Sequence, residues 1–191
     1  MMTENKIVSM FIKNKEPKTI REISKNISSN YKITHTATTR LIKKNILDSK
    51  TIGKSTLCEL NPKYFGVEIY QAESQRRCEI LRKKDINLLY QEIIKNANSH
   101  LFILLIFGSY ASGKNTKSSD IDLLFISNNN QFEQRISQTL ALLPLKIHAL
   151  FFNESEFKLM KDSKENNVIK EALSNHIILH NIEGFYMIKN A

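Results

Sequence analysis

The residues best able to do chemistry in this 191-residue chain lie between positions 108 and 122. Gly108-Ser109 opens the stretch Gly108-Ser109-Tyr110-Ala111-Ser112-Gly113-Lys114, and ten residues separate Ser109 from Asp120-Ile121-Asp122. On an extended backbone Asp120 and Asp122 share one face, about 7 Å apart along the strand, while Ile121 points the other way. Two carboxylates so placed repel each other when alone, and a divalent cation removes that cost. Hard oxygen donors with few other ligands suit Mg²⁺, or Mn²⁺, bridged to the phosphates of a nucleotide. A Gly-Ser turn lets backbone amides and a hydroxyl approach those phosphates, and Lys114 adds positive charge.

Strands must hold these groups. Leu101 to Phe107 (LFILLIF) is the longest uninterrupted apolar run, as expected for a strand buried on both faces and far short of the ~20 residues of a membrane helix. Leu123-Leu124-Phe125-Ile126 continues a second strand from Asp-x-Asp, and residues 145–152 read as a third, with Lys146 and His148 at alternating positions. His148 is a candidate general base at neutral pH, or a histidine satisfied at a sheet edge. Glu154 and Glu156 read as a helix start. Beyond them Phe157, Leu159, Met160, Val168, Ile169 and Leu173 suggest helices flanking the sheet; His176 and His180, four apart, could bind metal on one helix face, but with no third ligand evident they are read as structural.

The pattern GSYASG…SDIDLLF over residues 99–152 resembles the nucleotidyltransferase superfamily of DNA polymerase β, specifically the minimal nucleotidyltransferases. That resemblance implies Gly108 and Ser109 at the triphosphate and Asp120 and Asp122 at the metal ions, with a nucleoside triphosphate such as ATP as ligand. Two departures stand out. Active members usually carry a third carboxylate on the next core strand, where this chain has Lys146 and His148, and Ser112 stands where many members carry Arg. Loss of one carboxylate weakens a two-metal site, because one ion loses its clamp.

The rest of the chain is uneven in charge. Residues 1–66 hold 13 Lys and Arg against 5 acids, whereas residues 67–191 are nearly balanced, so most of the net charge of +9 sits in the first third. Such asymmetry points to a polyanion-binding module. Ile7, Met10 and Phe11 suggest a first helix. Thr19-Ile20-Arg21-Glu22 reads as a capping box opening a second helix lined by Ile20, Ile23 and Ile27. A third helix is expected to turn Ile33, Ala37 and Leu41 inward and to present His35, Thr36, Thr39, Arg40 and Lys43 to base edges in a major groove. Two β-prone runs around Gly53-Lys54 read as a hairpin. This order resembles the winged-helix DNA-binding domains of prokaryotic transcription regulators over residues 1–62, which implies phosphate contacts from Lys44, Lys50 and Lys54. Residues 67–98, with Ile69, Cys78, Leu81, Leu88, Leu89 and Ile93 at helical intervals, read as a helical connector able to pack on a sheet or on a twin chain. The tail Ile178-Leu179-His180-Asn181-Ile182-Glu183-Gly184-Phe185-Tyr186 is similar to that of archaeal proteins fusing a winged helix to a nucleotidyltransferase domain.

The expected fold is therefore α+β: a winged helix-turn-helix over 1–66, a connector over 67–98, and a nucleotidyltransferase-like mixed sheet flanked by helices over 99–191. Two cysteines without a CxxC pair, and lysines interrupting every N-terminal apolar stretch, point to a cytoplasmic protein. The functional expectation is a homodimeric regulator that binds double-stranded DNA and Mg-nucleotide. One alternative is an active nucleotidyltransferase acting on a hydroxyl of a protein partner. Another is an adaptor with a dead site.

Overall fold

A computed structural model describes residues 2–190 and divides into two compact units, one up to Ser74 and the other from Gln75. The first unit holds α1 (Thr3–Lys13), β1 (Lys18–Thr19), α2 (Ile20–Asn26), α3 (Tyr31–Lys43), β2 (Leu47–Ile52) and β3 (Ser55–Leu60). Helix α4 (Val67–Ile80) begins in it and ends in the second unit. The strands form an antiparallel sheet in the order β1-β3-β2. The Thr19 hydroxyl accepts from the Glu22 amide while the Glu22 carboxylate accepts from Thr19 N–H, so the capping box read from sequence starts α2. Ile52 pairs with Ser55 across Gly53-Lys54, and Gly53 supplies the positive φ (58°) that this two-residue turn requires.

The core of the first unit gathers Ile7, Val8, Phe11, Ile23, Leu41, Ile46 and Leu47. One expectation for α3 fails: Ile33 is 55% exposed, and Thr34 and Thr38 are buried with Ala37 and Leu41. The buried line follows 34, 37, 38 and 41, the i, i+3, i+4, i+7 progression of a 3.6-residue helix, from which a strict four-residue spacing drifts. Burying Thr34 is tolerable because its hydroxyl donates to the Asn30 carbonyl at 2.9 Å.

The second unit continues with α5 (Lys84–Asn96), β4 (Ile103–Phe107), α6 (Gly108–Ser112), β5 (Ile121–Ile126), α7 (Phe132–Ala141), β6 (Ile147–Phe152), α8 (Glu154–Asp162), α9 (Val168–Ser174), β7 (His176–His180) and α10 (Ile182–Asn190). Its sheet is mixed, in the order β6-β5-β4-β7: β4 runs antiparallel to β5 and β7, and β5 parallel to β6. One face (Leu104, Ile106, Leu123, Phe125, Ile177, Leu179) packs with Ile86, Leu89 and Ile93 of α5 and Phe132 and Ile136 of α7. Stacked Phe125 and Phe151 and edge-on Phe132 fill its far end. Helix α10 lies against β4 and β7.

Residues 67–98 thus form two helices, and the apolar face of α5 joins the core of this sheet. Cys78 and Leu88, expected on the apolar stripe, are exposed. The run Ile177-Ile178-Leu179, read as following helices, is strand β7, which puts His176 and His180 at opposite ends of a strand rather than on one helix face. His176 is buried and edge-on to Phe185, and His180 stacks on Phe102 with ring centroids 4.3 Å apart, so both are structural.

Candidate functional site

Strand β4 ends at Phe107, and the chain turns through Gly108 (φ 64°) directly into α6. A Cβ at Gly108 would fall well inside contact distance of the Asp122 Oδ2 atom and 3.2 Å from its Cγ. Glycine here does two things: it adopts the left-handed conformation, and it leaves room for a carboxylate against the turn. Pairing across the sheet sets one row, His176–Phe107–Asp122–His148, drawn from β7, β4, β5 and β6. Paired residues project from the same face of a sheet, so His148 faces Asp122 with its Nδ1 3.4 Å from Oδ1. The Asp122 side chain is 27% exposed and that of His148 59%, which leaves both open to a ligand.

Asp120 lies just before β5 and is exposed, and the next residue, Ile121, enters the strand by donating its N–H to the Lys146 carbonyl at 2.8 Å. The half-buried Ser109 accepts through its carbonyl from Lys114 N–H at 3.0 Å and from the Ser112 hydroxyl at 3.1 Å. These bonds close α6, and Gly113 (φ 72°) then lets the chain leave. Lys114 is exposed beside the turn. The structure thus joins Gly108, Asp122 and His148 directly, with Ser109, Lys114 and Asp120 in the flanking turns.

The donor set suits one hard cation held by two aspartates and completed by phosphate oxygens and water. It does not suit a second ion held by three carboxylates, because an imidazole occupies the paired position on β6. Among the described residues no three His, Cys, Asp or Glu side chains already stand together as a metal site. Glu154 and Glu156 lie past the other end of β6, where Glu156 completes the capping box of α8 with Asn153.

Residues 92–185 match the family model of the nucleotidyltransferase domain. The second unit carries a nucleotidyltransferase domain. The mixed sheet, the Gly108-Ser109 turn and Asp122 on β5 all lie within the matched residues, whereas Asp120, expected on the same strand, precedes it. No curated protein and no solved structure matches the chain. No helix among the described residues is long and apolar enough to cross a membrane.

The first unit holds a groove of about 720 Å³ lined by Thr19, Arg21, Ser24 and Lys25 near α2, Tyr31 and His35 on α3, and Lys54, Ser55 and Thr56 at the hairpin. Arg21 and Lys25 stand one helical turn apart, and the sequence reading passed over them. Of the residues expected to meet DNA, His35 and Lys54 line this groove, and Lys43 and Lys50 are exposed outside its lining. Thr36 and Arg40 line a different, apolar groove with Met2, Ile33 and Ala37. Arg40 is also drawn toward Glu4 at 3.7 Å. Lys44 is held by Glu68 at 3.2 Å, with Glu4 at 4.0 Å. The Thr36 and Thr39 hydroxyls donate to the carbonyls of Lys32 and His35 on their own helix.

Proposed function

We propose that this protein is a DNA-binding regulator whose nucleotidyltransferase domain binds a divalent metal–nucleoside triphosphate, ATP being the first candidate. The observation that carries the nucleotide reading is the fit of the Asp122 carboxylate over Gly108. It places an oxygen donor against a turn able to take phosphates, and nothing but glycine permits it. Asp120 and Asp122 would hold the metal, and Gly108, Ser109 and Lys114 the phosphates. The bound ion would neutralise phosphate charge and fix the triphosphate. The groove with Arg21, Lys25, His35 and Lys54 supports the DNA reading, because it gathers cations and hydroxyls between two helices and a hairpin as a winged helix would. A palindromic site and a dimer of this chain would follow from that class of binder.

A second reading, an active nucleotidyltransferase, is favoured by His148 facing Asp122. An acceptor hydroxyl, on a protein partner for example, would attack the α-phosphorus. The bond from that phosphorus to the bridging oxygen would break, pyrophosphate would leave, and the hydroxyl proton would pass to His148.

The experiment that tests these readings incubates the protein with Mg²⁺ and α-phosphate-labelled ATP, in the presence of duplex DNA or cell extract, beside the Asp120→Ala/Asp122→Ala variant. Mg-ATP should raise the melting temperature of the wild type and not of the variant. Label transfer lost in the variant would establish the second reading. Absence of any Mg-ATP shift would refute both. Duplex binding should weaken with a log–log salt slope of about −0.9 per phosphate contact, and a salt-independent affinity would refute the DNA reading.

A further inference from the structure

Lys83 precedes α5 and lies far from the motif in sequence, yet both sides of the motif meet on its ammonium. Its Nζ donates to Asn115 Oδ1 at 2.7 Å and stands 5.0 Å from the ring centroid of Tyr110. Tyr110 belongs to α6, the helix opened by Gly108-Ser109, and packs against the core of the sheet. Asn115 belongs to the 113–120 loop, whose last residue is Asp120.

That loop is otherwise held largely by its own short-range bonds. Thr116 N–H donates to Ser119 Oγ at 2.9 Å, Ser119 N–H to the Thr116 carbonyl at 3.2 Å, and the Thr116 hydroxyl lies 3.0 Å from that of Ser118. Such bonds fix the shape of a loop but not where it sits. Its placement relies on Lys114 N–H to Ser109 O at one end, Ile121 N–H to Lys146 O at the other, and Lys83 between them. An ammonium suits this post: it has three donors and is drawn to an aromatic face.

We propose that Lys83 is a positioning residue of the nucleotide site: it clamps the Asn115 loop to Tyr110, so that Asp120 is presented beside Asp122 before metal arrives. This rests on the metal–nucleotide reading above. The clamp acts on the stretch of loop that leads from Asn115 to Asp120, whereas Lys114 is pinned separately by its own N–H to the Ser109 carbonyl, so the clamp governs the metal requirement and not the contact between protein and phosphate. Partners bonded directly to metal ligands typically change metal affinity 10- to 100-fold, and a clamp one step further out falls at the low end of that range.

The test uses the full chain with Lys83→Met, which keeps the stem and removes the charge, and Lys83→Arg, which keeps both a donor and a cation able to stack on the ring. Amide hydrogen exchange without ligand should speed up about 10-fold in residues 113–120 of Lys83→Met, with α5 and β5 unchanged, and should stay at wild-type rate in Lys83→Arg. The Mg²⁺ concentration that half-saturates the ATP-dependent thermal shift should rise about 10-fold in Lys83→Met and recover in Lys83→Arg, while ATP affinity in EDTA is unaltered. Unchanged loop exchange, or an unchanged Mg²⁺ requirement in a protein that does respond to Mg-ATP, overturns the clamp alone. Equal loss of affinity in EDTA overturns it in favour of direct phosphate contact. A wild type with no Mg-ATP response overturns the nucleotide reading and the role of Lys83 with it, whatever the loop exchange shows.

Discussion

Gly108→Ala adds a single methyl group at the point where turn and carboxylate meet. Alanine in the left-handed region costs about 1–2 kcal/mol, since Gly108 has φ 64°. Crowding against Asp122 adds about 1–3 kcal/mol if the carboxylate stays in place. Asp122 is partly exposed, so its side chain can swing away; the folding cost then falls toward the backbone part alone and the remainder appears as lost ligand binding. Gly113→Ala is the matched control, with φ 72° and nothing within 4 Å of the added Cβ. It should cost about 1–2 kcal/mol and keep the Mg-ATP response. Urea unfolding gives the stabilities, and the thermal shift with Mg-ATP gives the binding. Gly108→Ala should be at least as destabilised as Gly113→Ala and should lose the shift. In an Asp122→Ala background the two glycine variants should become equal in stability, because the crowded partner is gone. A Gly108→Ala protein that keeps the full Mg-ATP shift refutes the reasoning, as does an undiminished gap between the two variants once Asp122 is removed.

Two further outcomes follow from hydrogen bonding and titration. The Tyr64 hydroxyl donates to Glu68 and holds that carboxyl below its ordinary 4.5, with help from Lys44. The stabilisation is present above pH 4.5 and is lost as pH falls through the lowered value. Tyr64→Phe should therefore cost about 1–3 kcal/mol at pH 7, a cost that shrinks as pH is lowered through the depressed value of Glu68, read by urea unfolding across a pH series below 4.5. In the second unit, burial first, and the charges of His100 and Arg77 after it, push His180 below its ordinary 6.5 against a bond to the His100 carbonyl. The unfolded chain takes up that proton first, so stability falls as pH drops below 6.5. His180→Phe should flatten the fall in melting temperature between pH 7.5 and 5.5, and an equally steep fall would refute the assignment.

The chemistry-bearing turn was legible because it is local. Gly108-Ser109, the apolar strand before it and Asp-x-Asp after it are all set by short-range spacing, as are the Thr19–Glu22 cap and the Gly53-Lys54 hairpin. What escaped was non-local or ambiguous in period. Lys44 looks like a free phosphate ligand until α4 brings Glu68 to it. Arg21 and Lys25 become part of a groove once the hairpin stands opposite α2. The run Ile177-Ile178-Leu179 is too short for apolar character to separate helix from strand, and pairing with β4 decides it. Lys83 carries no signal of its link to Asn115, 32 positions away.

The row through Asp122 also bears on how the protein comes into being. Asp122 and His148 are 26 positions apart and belong to parallel strands, which a crossover helix must join. The row closes when β7 docks on β4, and Arg76, which donates to the His176 carbonyl at 2.6 Å, waits for a partner 100 positions later. Closure over such distances is entropically slow and follows local helix formation. A chain emerging from the ribosome thus forms its earlier helices and the β4–β5 pair well before β6 brings His148 to Asp122 and β7 completes the sheet. Until β6 is paired, ligand meets Asp122 without His148, and any local opening that releases β7 takes His176 out of the row while leaving β5 and β6 paired.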